Sequence, residues 1–142
     1  MTVSIREQII AAVAETLANT EGVDGRVWRS RREALSRNEA SAIVIEPASE
    51  PRQIYAIHKL DASLELAVAV FARGPIPDQI ADPIAADAHI RIMADRSVSG
   101  LAIDVIPGQV DWQRDGTDPL SLWMVSMYRI RYRTAINDLS SP

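Results

Sequence analysis

From Leu120 to Thr134 the chain alternates, with Leu122, Met124, Tyr128, Ile130 and Tyr132 at even positions and Arg129, Arg131 and Arg133 at odd ones. Successive side chains of an extended strand point to opposite faces, so this segment reads as one long β-strand with an apolar side and a charged side. At about 3.3 Å per residue it is roughly 50 Å long. Such a strand is stable only within a sheet, and its apolar side must be covered by a second layer. Whatever the chain folds into therefore contains a long sheet with a cover on at least one face.

The remaining patterns supply both. Ser4-Ile5-Arg6-Glu7 reads as a capping box, the serine oxygen accepting a backbone donor and the glutamate reaching back. It opens a helix whose stripe is Ile5, Ile9, Ile10, Val13 and Leu17, ended by Gly22 and Gly25. A short strand is expected at Arg26 to Arg29, a loop with room for one helical turn at Ser30 to Ala40, and a buried strand at Ala42-Ile43-Val44-Ile45, stopped by Glu46-Pro47. Ile54 to Leu60 and Ser63 to Arg73 flank Asp61-Ala62 and read as a hairpin. A second helix is expected with Asp82 as cap and Pro83 as its first residue, burying Ile84, Ala85, Ala88 and Ile92. Leu101 to Ile106 and Val110 to Arg114 read as two more strands before the turn Asp115-Gly116-Thr117-Asp118-Pro119. The order is helix, two or three strands, helix, two or three strands. It packs most simply as an α+β fold: a mostly antiparallel β-sheet with two helices on one face. On the other face Trp123, Val125 and Met127 lie beside the arginines, and Ala67, Ala69 and Phe71 take the same side of their own strand. Sheet faces of that kind are often buried by another copy of the chain.

Size permits this without staples. A chain of 142 residues and 15.6 kDa fits a single domain spanning 1–142 and buries on the order of two-thirds of its surface on folding. It is 47% hydrophobic and 24% charged, with a mean hydropathy of -0.03, unlike a disordered or fibrous chain. No apolar run reaches the roughly 18 residues of a membrane span, and no basic region followed by an apolar stretch opens the chain, so a soluble protein without an export signal is expected. Cysteine is absent, which excludes disulfides, thiolate metal sites and cysteine nucleophiles.

Charge is segregated. Residues 26–37 carry Arg26, Arg29, Arg31, Arg32 and Arg37 against Glu33, whereas residues 74–119 hold eight aspartates against three arginines. The tail is basic again, with Arg129, Arg131 and Arg133 against Asp138. With a net charge of -4 and a pI near 5.1 the chain is a poor general binder of nucleic acid, and no sequence-specific binding is expected. Opposite signs on separate stretches instead let copies attract one another head to tail.

Catalytic frameworks are missing from the sequence: there is no GxGxxG, no phosphate-binding lysine loop, no HExxH, no nucleophile elbow and no EF-hand loop. No catalytic, cofactor-binding or metal-binding residue is therefore assigned. His58, on an expected strand, and His89, on the second helix, read as structural rather than as ligands or bases. Asp78, Asp82 and Asp87 read as a helix cap and a solvated face rather than a cation cluster. In Tyr128 to Arg133, strand alternation separates tyrosines from arginines, so the two cannot form one stacking platform for a nucleic acid. The loop Arg29 to Arg37 is balanced between a solvated charged loop and a docking element.

Several stretches taken together resemble a known family. They are Arg6-Glu7-Gln8-Ile9, Val27-Trp28-Arg29-Ser30-Arg31 with Ala34-Leu35-Ser36, Ala42-Ile43-Val44-Ile45-Glu46-Pro47, Val70-Phe71-Ala72-Arg73-Gly74, Asp82-Pro83-Ile84-Ala85, and the closing Tyr128-Arg129-Ile130-Arg131-Tyr132-Arg133-Thr134. In order and spacing they resemble small tail proteins of bacteriophages and prophages, above all the tail terminator (tail completion, minor tail protein) group. The resemblance spans nearly the whole chain and is one of pattern, without a catalytic signature. It implies an α+β virion subunit that forms a six-fold ring on the end of the finished tail tube, stops its polymerisation and presents the surface to which the head connector or head-completion protein docks. No functional residue is carried over from it.

A ring needs a heterologous contact between two unlike patches. The candidates for it are Arg29, Arg31 and Arg32 of one subunit against Asp78, Asp87 or Asp95 of the next, with Arg129, Arg131 and Arg133 as a second basic patch. Other readings are a head-tail adaptor or neck protein, a small enzyme using His58 or His89 with carboxylates, and a nucleic-acid module on the last strand.

Overall fold

The computed structural model describes residues 2–30, 40–114, 116 and 118–142. The long last strand is there as β6, Ser121–Ala135, and it organises the rest. It pairs antiparallel with β4, Lys59–Arg73, in unbroken register from Lys59 opposite Ala135 to Arg73 opposite Ser121. β2, Ser41–Ser49, lies along the upper part of β4, and β1, Val27–Arg29, runs parallel to β2 outside it. β3, Arg52–Ala56, takes the place of β2 against the lower end of β4. On the other side of β6 lies β5, Asp104–Arg114, so that the order across the sheet is β1-β2-β4-β6-β5.

Both helices, α1 at Ile5–Leu17 and α2 at Pro77–Met93, pack on one face. The α1 stripe read from the sequence is the buried one: Ile5, Ile9, Ile10, Val13 and Leu17. It meets Ile43 and Ile45 of β2, Leu64, Leu66, Val68 and Val70 of β4, and Tyr128, Ile130 and Tyr132 of β6 in one core. The α+β class and the one-sided helix layer are as expected, with four strands between the helices and two after α2.

Local rules fail at five places, each time because a distant partner wins. The hairpin turn is Ile57-His58, not Asp61-Ala62, and His58 sits in the turn with φ 65°, not on a strand. Asp61 looks like a turn residue only until Arg131 and Arg133 of β6 are seen beside it, which let β4 run straight through. β2 continues past Glu46-Pro47 to Ser49, with a register irregularity after Pro47. That proline is tolerated because β1 ends opposite Ile45, leaving the outer edge of β2 without a strand partner among the described residues. α2 begins at Pro77, where a missing N–H costs nothing, so Asp82 is not its cap and Pro83 lies inside the helix. Gly74 makes room: a Cβ there would come 2.5 Å from Ile80 Cδ1. The early start buries Pro77 and Ala81, which offsets the backbone bond that Pro83 forfeits. β5 is one strand with an irregularity between Pro107 and Val110, and it starts at Asp104; Leu101 to Ile103 lead into it. Finally, half of the capping box forms. The Glu7 N–H donates to Ser4 Oγ at 3.1 Å, but the Glu7 carboxylate turns away to Arg29. The expected loop at Ser30 to Ala40 lies outside the described residues apart from its two ends.

Leu66 is fully buried at the centre of this core. Leu66→Ala should lower stability by about 2–5 kcal/mol through lost burial and a residual cavity. Pro83→Ala should raise it by about 1–2 kcal/mol, since restoring a helical N–H outweighs the added freedom of the unfolded chain. Urea unfolding midpoints measure both, and equal midpoints for Pro83→Ala and wild type would argue against the cost assigned to the internal proline.

Candidate functional site

The two faces of the sheet are chemically unlike. Under the helices, polar groups are few and paired. Arg6 Nε of α1 donates to Glu50 Oε1 at 3.0 Å, and the Tyr132 hydroxyl donates to the same carboxylate at the β2–β3 junction. Burial and the adjacent Glu50 hold the Tyr132 phenol well above its ordinary range. His89 Nδ1 lies 2.8 Å from the Tyr128 hydroxyl, whose titration burial also pushes upward. His89 is thus tied to the β6 face of the core.

The face without helices divides along its length. In its upper part Ala67 lies opposite Met127, Ala69 opposite Val125 and Phe71 opposite Trp123, with Val44 of β2 alongside Ala69. The Phe71 and Trp123 rings pack 5.1 Å apart at a tilt. This apolar group is only partly covered: Ala67, Ala69, Trp123, Val125 and Met127 are all half-buried. In the lower part the three arginines form a ladder with β4. Arg129 Nε donates to Glu65 at 2.8 Å, and Arg131 to Asp61 at 3.4 Å. Arg133 Nε is 3.9 Å from Asp61, too far for a hydrogen bond, and its guanidinium lies 3.6 Å over the Tyr55 ring. Tyr128 and Tyr132 are buried on the opposite side of β6, as alternation requires.

The other candidates are dispersed. Arg29 holds Glu7 with two hydrogen bonds, the longer 2.8 Å, which keeps that carboxyl below its usual range. Arg31 and Arg32 lie outside the described residues. Asp87 accepts from the Glu21 N–H at 3.0 Å and from Arg91 at 2.9 Å. Asp95 accepts from the Ser97 hydroxyl and N–H and from the Ser99 N–H, fixing the tight loop after α2. Asp78 lies exposed in the first turn of α2. The fold thus gathers Arg129, Arg131 and Arg133 on the open face and strings Asp78, Asp87 and Asp95 along α2 and its end on the other. Among the described residues no three His, Asp or Glu side chains converge as metal ligands. No described helix is long and apolar enough to cross a membrane.

Sequence patterns did not mark two surfaces that the fold creates. One is the tip of the β3–β4 hairpin, where Ile54, Tyr55 and Ile57 are 69%, 56% and 85% exposed. The other is the outer edge of the sheet, where every residue of β5 from Ile106 onward is exposed, including Val110 and Trp112. Between β5 and α2 lies a cleft of about 220 Å³, walled by Ala85, Ala86, Pro107 and Val110 and floored by Met124 and Tyr128. Three large apolar residues within Ile54-Tyr55-Ala56-Ile57, without a polar alternation, were the one local sign of the first surface.

No family model matches the chain, and no curated protein matches it. Among solved structures, a chain of the virion of the native gene transfer agent (GTA) particle is similar at 10% identity, with a TM-score of 0.48 and 92% of each chain covered.

The carboxylates on the helix side carry an acid dependence. Asp87 is held below its ordinary range first by the Glu21 N–H and then by Arg91, and Asp95 first by the Ser97 hydroxyl and then by backbone N–H groups. A carboxyl whose folded value lies below its unfolded one adds stability above the unfolded value, and that contribution fades as pH falls through the folded value. Unfolding midpoints should therefore hold level from pH 7 to about 5 and drop below about pH 4. Asp95→Asn should shallow the drop; an unchanged acid limb in that variant would count against the assignment.

Proposed function

We propose that this chain is a structural subunit of a phage-like particle, forming a six-fold ring that caps the tail tube, ends its polymerisation and offers the surface to which the head docks. The observation that carries the reading is the pair of unlike apolar surfaces at diagonal corners of one sheet. The hairpin tip projects at the lower end beside β4, and the β5 edge with Trp112 lies across the sheet toward the upper end. Self-complementary dimers use one patch twice, whereas two different patches facing different ways make the head-to-tail contact from which rings are built. The resemblance of the sequence to tail terminators supports the same assembly. The partners proposed with it are further copies of the chain, the tail tube protein and the head connector or completion protein, within the virion at the head-tail junction.

The arginine ladder weighs against a nucleic-acid strand on β6, since Arg129 and Arg131 are engaged by Glu65 and Asp61. An enzyme built on the histidines is likewise disfavoured: His89 is bound to Tyr128, and His58 lies at an exposed turn with no side-chain hydrogen bond among the described residues. Within the ring reading, the basic sequence stretch 26–37, which includes Arg31 and Arg32, is proposed to meet aspartates of a neighbouring subunit.

Light scattering across a wide concentration range should show the solution mass rising from one subunit toward six. Arg31→Glu/Arg32→Glu should lower the assembled mass while leaving the circular dichroism of the fold unchanged. A chain that stays monomeric at its highest soluble concentration and also in the presence of tail tubes would sink the ring.

A further inference from the structure

We infer that the ring contact is the insertion of the β3–β4 hairpin tip of one subunit, led by Ile57, into the cleft between α2 and β5 of the next; this rests on the assembly proposed above and names its interface. Among the described residues, Ile57 at the tip is the most exposed large apolar side chain. Ile57 and Ile54 stand in solvent, and the turn that carries them is tied to the segment after β6. The Ile136 N–H donates to the His58 carbonyl at 2.8 Å, and Lys59 Nζ reaches the Pro142 carbonyl at 2.8 Å. A pre-formed protrusion loses little freedom on docking, which is where affinity is otherwise lost.

The cleft is the matching concavity. Its walls are mostly apolar, with His89 and Ser126 among them, and its size admits a branched side chain. Its mouth is acidic: Asp82 lines the cleft and, with Asp78 and Trp112, also a neighbouring shallow depression. The tip is basic, since residues 52–59 contain Arg52 and Lys59 and no acid. Neither Arg52 nor Asp78 nor Asp82 has an ion-pair partner among the described residues, in contrast to the arginines of β6. Apolar knob, apolar hole and opposite charges around each are complementary, with the charges fixing orientation and the buried isoleucine supplying most of the binding.

A subunit cannot satisfy this contact itself. Lys59, beside the turn, pairs with Ala135, whereas the cleft floor is Tyr128 and Met124, seven to eleven residues up the same strand. At about 3.3 Å per residue that is roughly 23–36 Å along the sheet, and the cleft lies beyond β6 from the hairpin. The occupant is therefore a second copy, joined head to tail.

The absence of cysteine makes the test clean. Ile57 and Ala86 are both exposed, so Ile57→Cys/Ala86→Cys folds normally and carries its only two thiols at the proposed contact. Treated with a short bismaleimide under native conditions, it should give a denaturing-gel ladder from dimer to hexamer and no further, while each single-cysteine variant stays monomeric. As a second measurement, Ile57→Asp and Ala86→Trp should each fall to one subunit by light scattering, and their equimolar mixture should give a dimer, because one intact tip meets one intact cleft. A native six-subunit mass with no ladder would overturn the contact and leave the ring standing. A ladder running past six would uphold the contact and overturn the closed ring. No ladder together with a monomeric native mass would overturn both.

Discussion

The pairing of β4 with β6 is the constraint on which everything else depends. It runs fifteen residues without an irregularity, longer than any other ladder in the fold. Because side chains alternate along both strands, one register decides at once what lies beneath the helices and what faces away. A slip of one residue in β4 would turn Leu64, Leu66 and Val68 outward and carry Asp61 and Glu65 into the core, and a slip in β6 would do the same with Ile130 and Arg129. Burying those charges without partners would cost far more than the net stability of a domain this size. The register is thus enforced from both faces: by the apolar core on one, and on the other by Arg129 standing directly opposite Glu65 and Arg133 opposite Asp61.

From that pairing follows the shape. β4 and β6 cover each other end to end, but β2, β3 and β5 are each shorter, so no single strand covers the outer side of either. On one side β2 and β3 share β4, with the bent junction at Glu50 anchored by Arg6 and Tyr132. On the other side β5 reaches from Asp104 opposite Arg131 to Arg114 opposite Leu122, leaving the end of β6 without it. The hairpin tip stands at that end, away from β5. Diagonal asymmetry is a consequence of unequal strand lengths, and it gives the molecule two ends that differ in chemistry.

Much of the fold was legible because it rests on local periodicity. The α1 stripe and the alternation of β6 are written in consecutive residues and survive folding unchanged. The misplaced features share another cause. Asp61 reads as a turn because its partners are about seventy residues away in the chain. Pro83 reads as a helix start because the burial of Ala81 and the space left by Gly74 are tertiary facts. Pro107-Gly108 reads as a break between strands, yet β6 carries the pairing across it. The candidate interface was less legible still. Charge segregation pointed to the arginines and aspartates, but most of these are partnered within the subunit, and the surfaces left over are apolar ones defined by which strand has no neighbour.

That outcome changes what assembly would have to rely on. Ion pairs already made within a subunit, such as Arg129 with Glu65 and Arg91 with Asp87, have little left to offer a neighbour, and exposed pairs contribute modestly in any case. Apolar surface has the opposite property: Ile57, Ile54 and Trp112 gain nothing from the isolated chain and everything from being covered. Under the proposed assembly, the apolar surface at two unlike corners, the hairpin tip and the β5 edge, is what a neighbouring copy would cover. The residual charges near those corners, Arg52 on one and Asp78 with Asp82 on the other, then act chiefly on encounter and orientation, since like corners repel and unlike corners attract. In the proposed assembly, that sign would favour head-to-tail growth over face-to-face pairing. Whether growth closes is set by the angle between tip and cleft, a property of the twist of the β4–β6 pair and hence of the same register that builds the core.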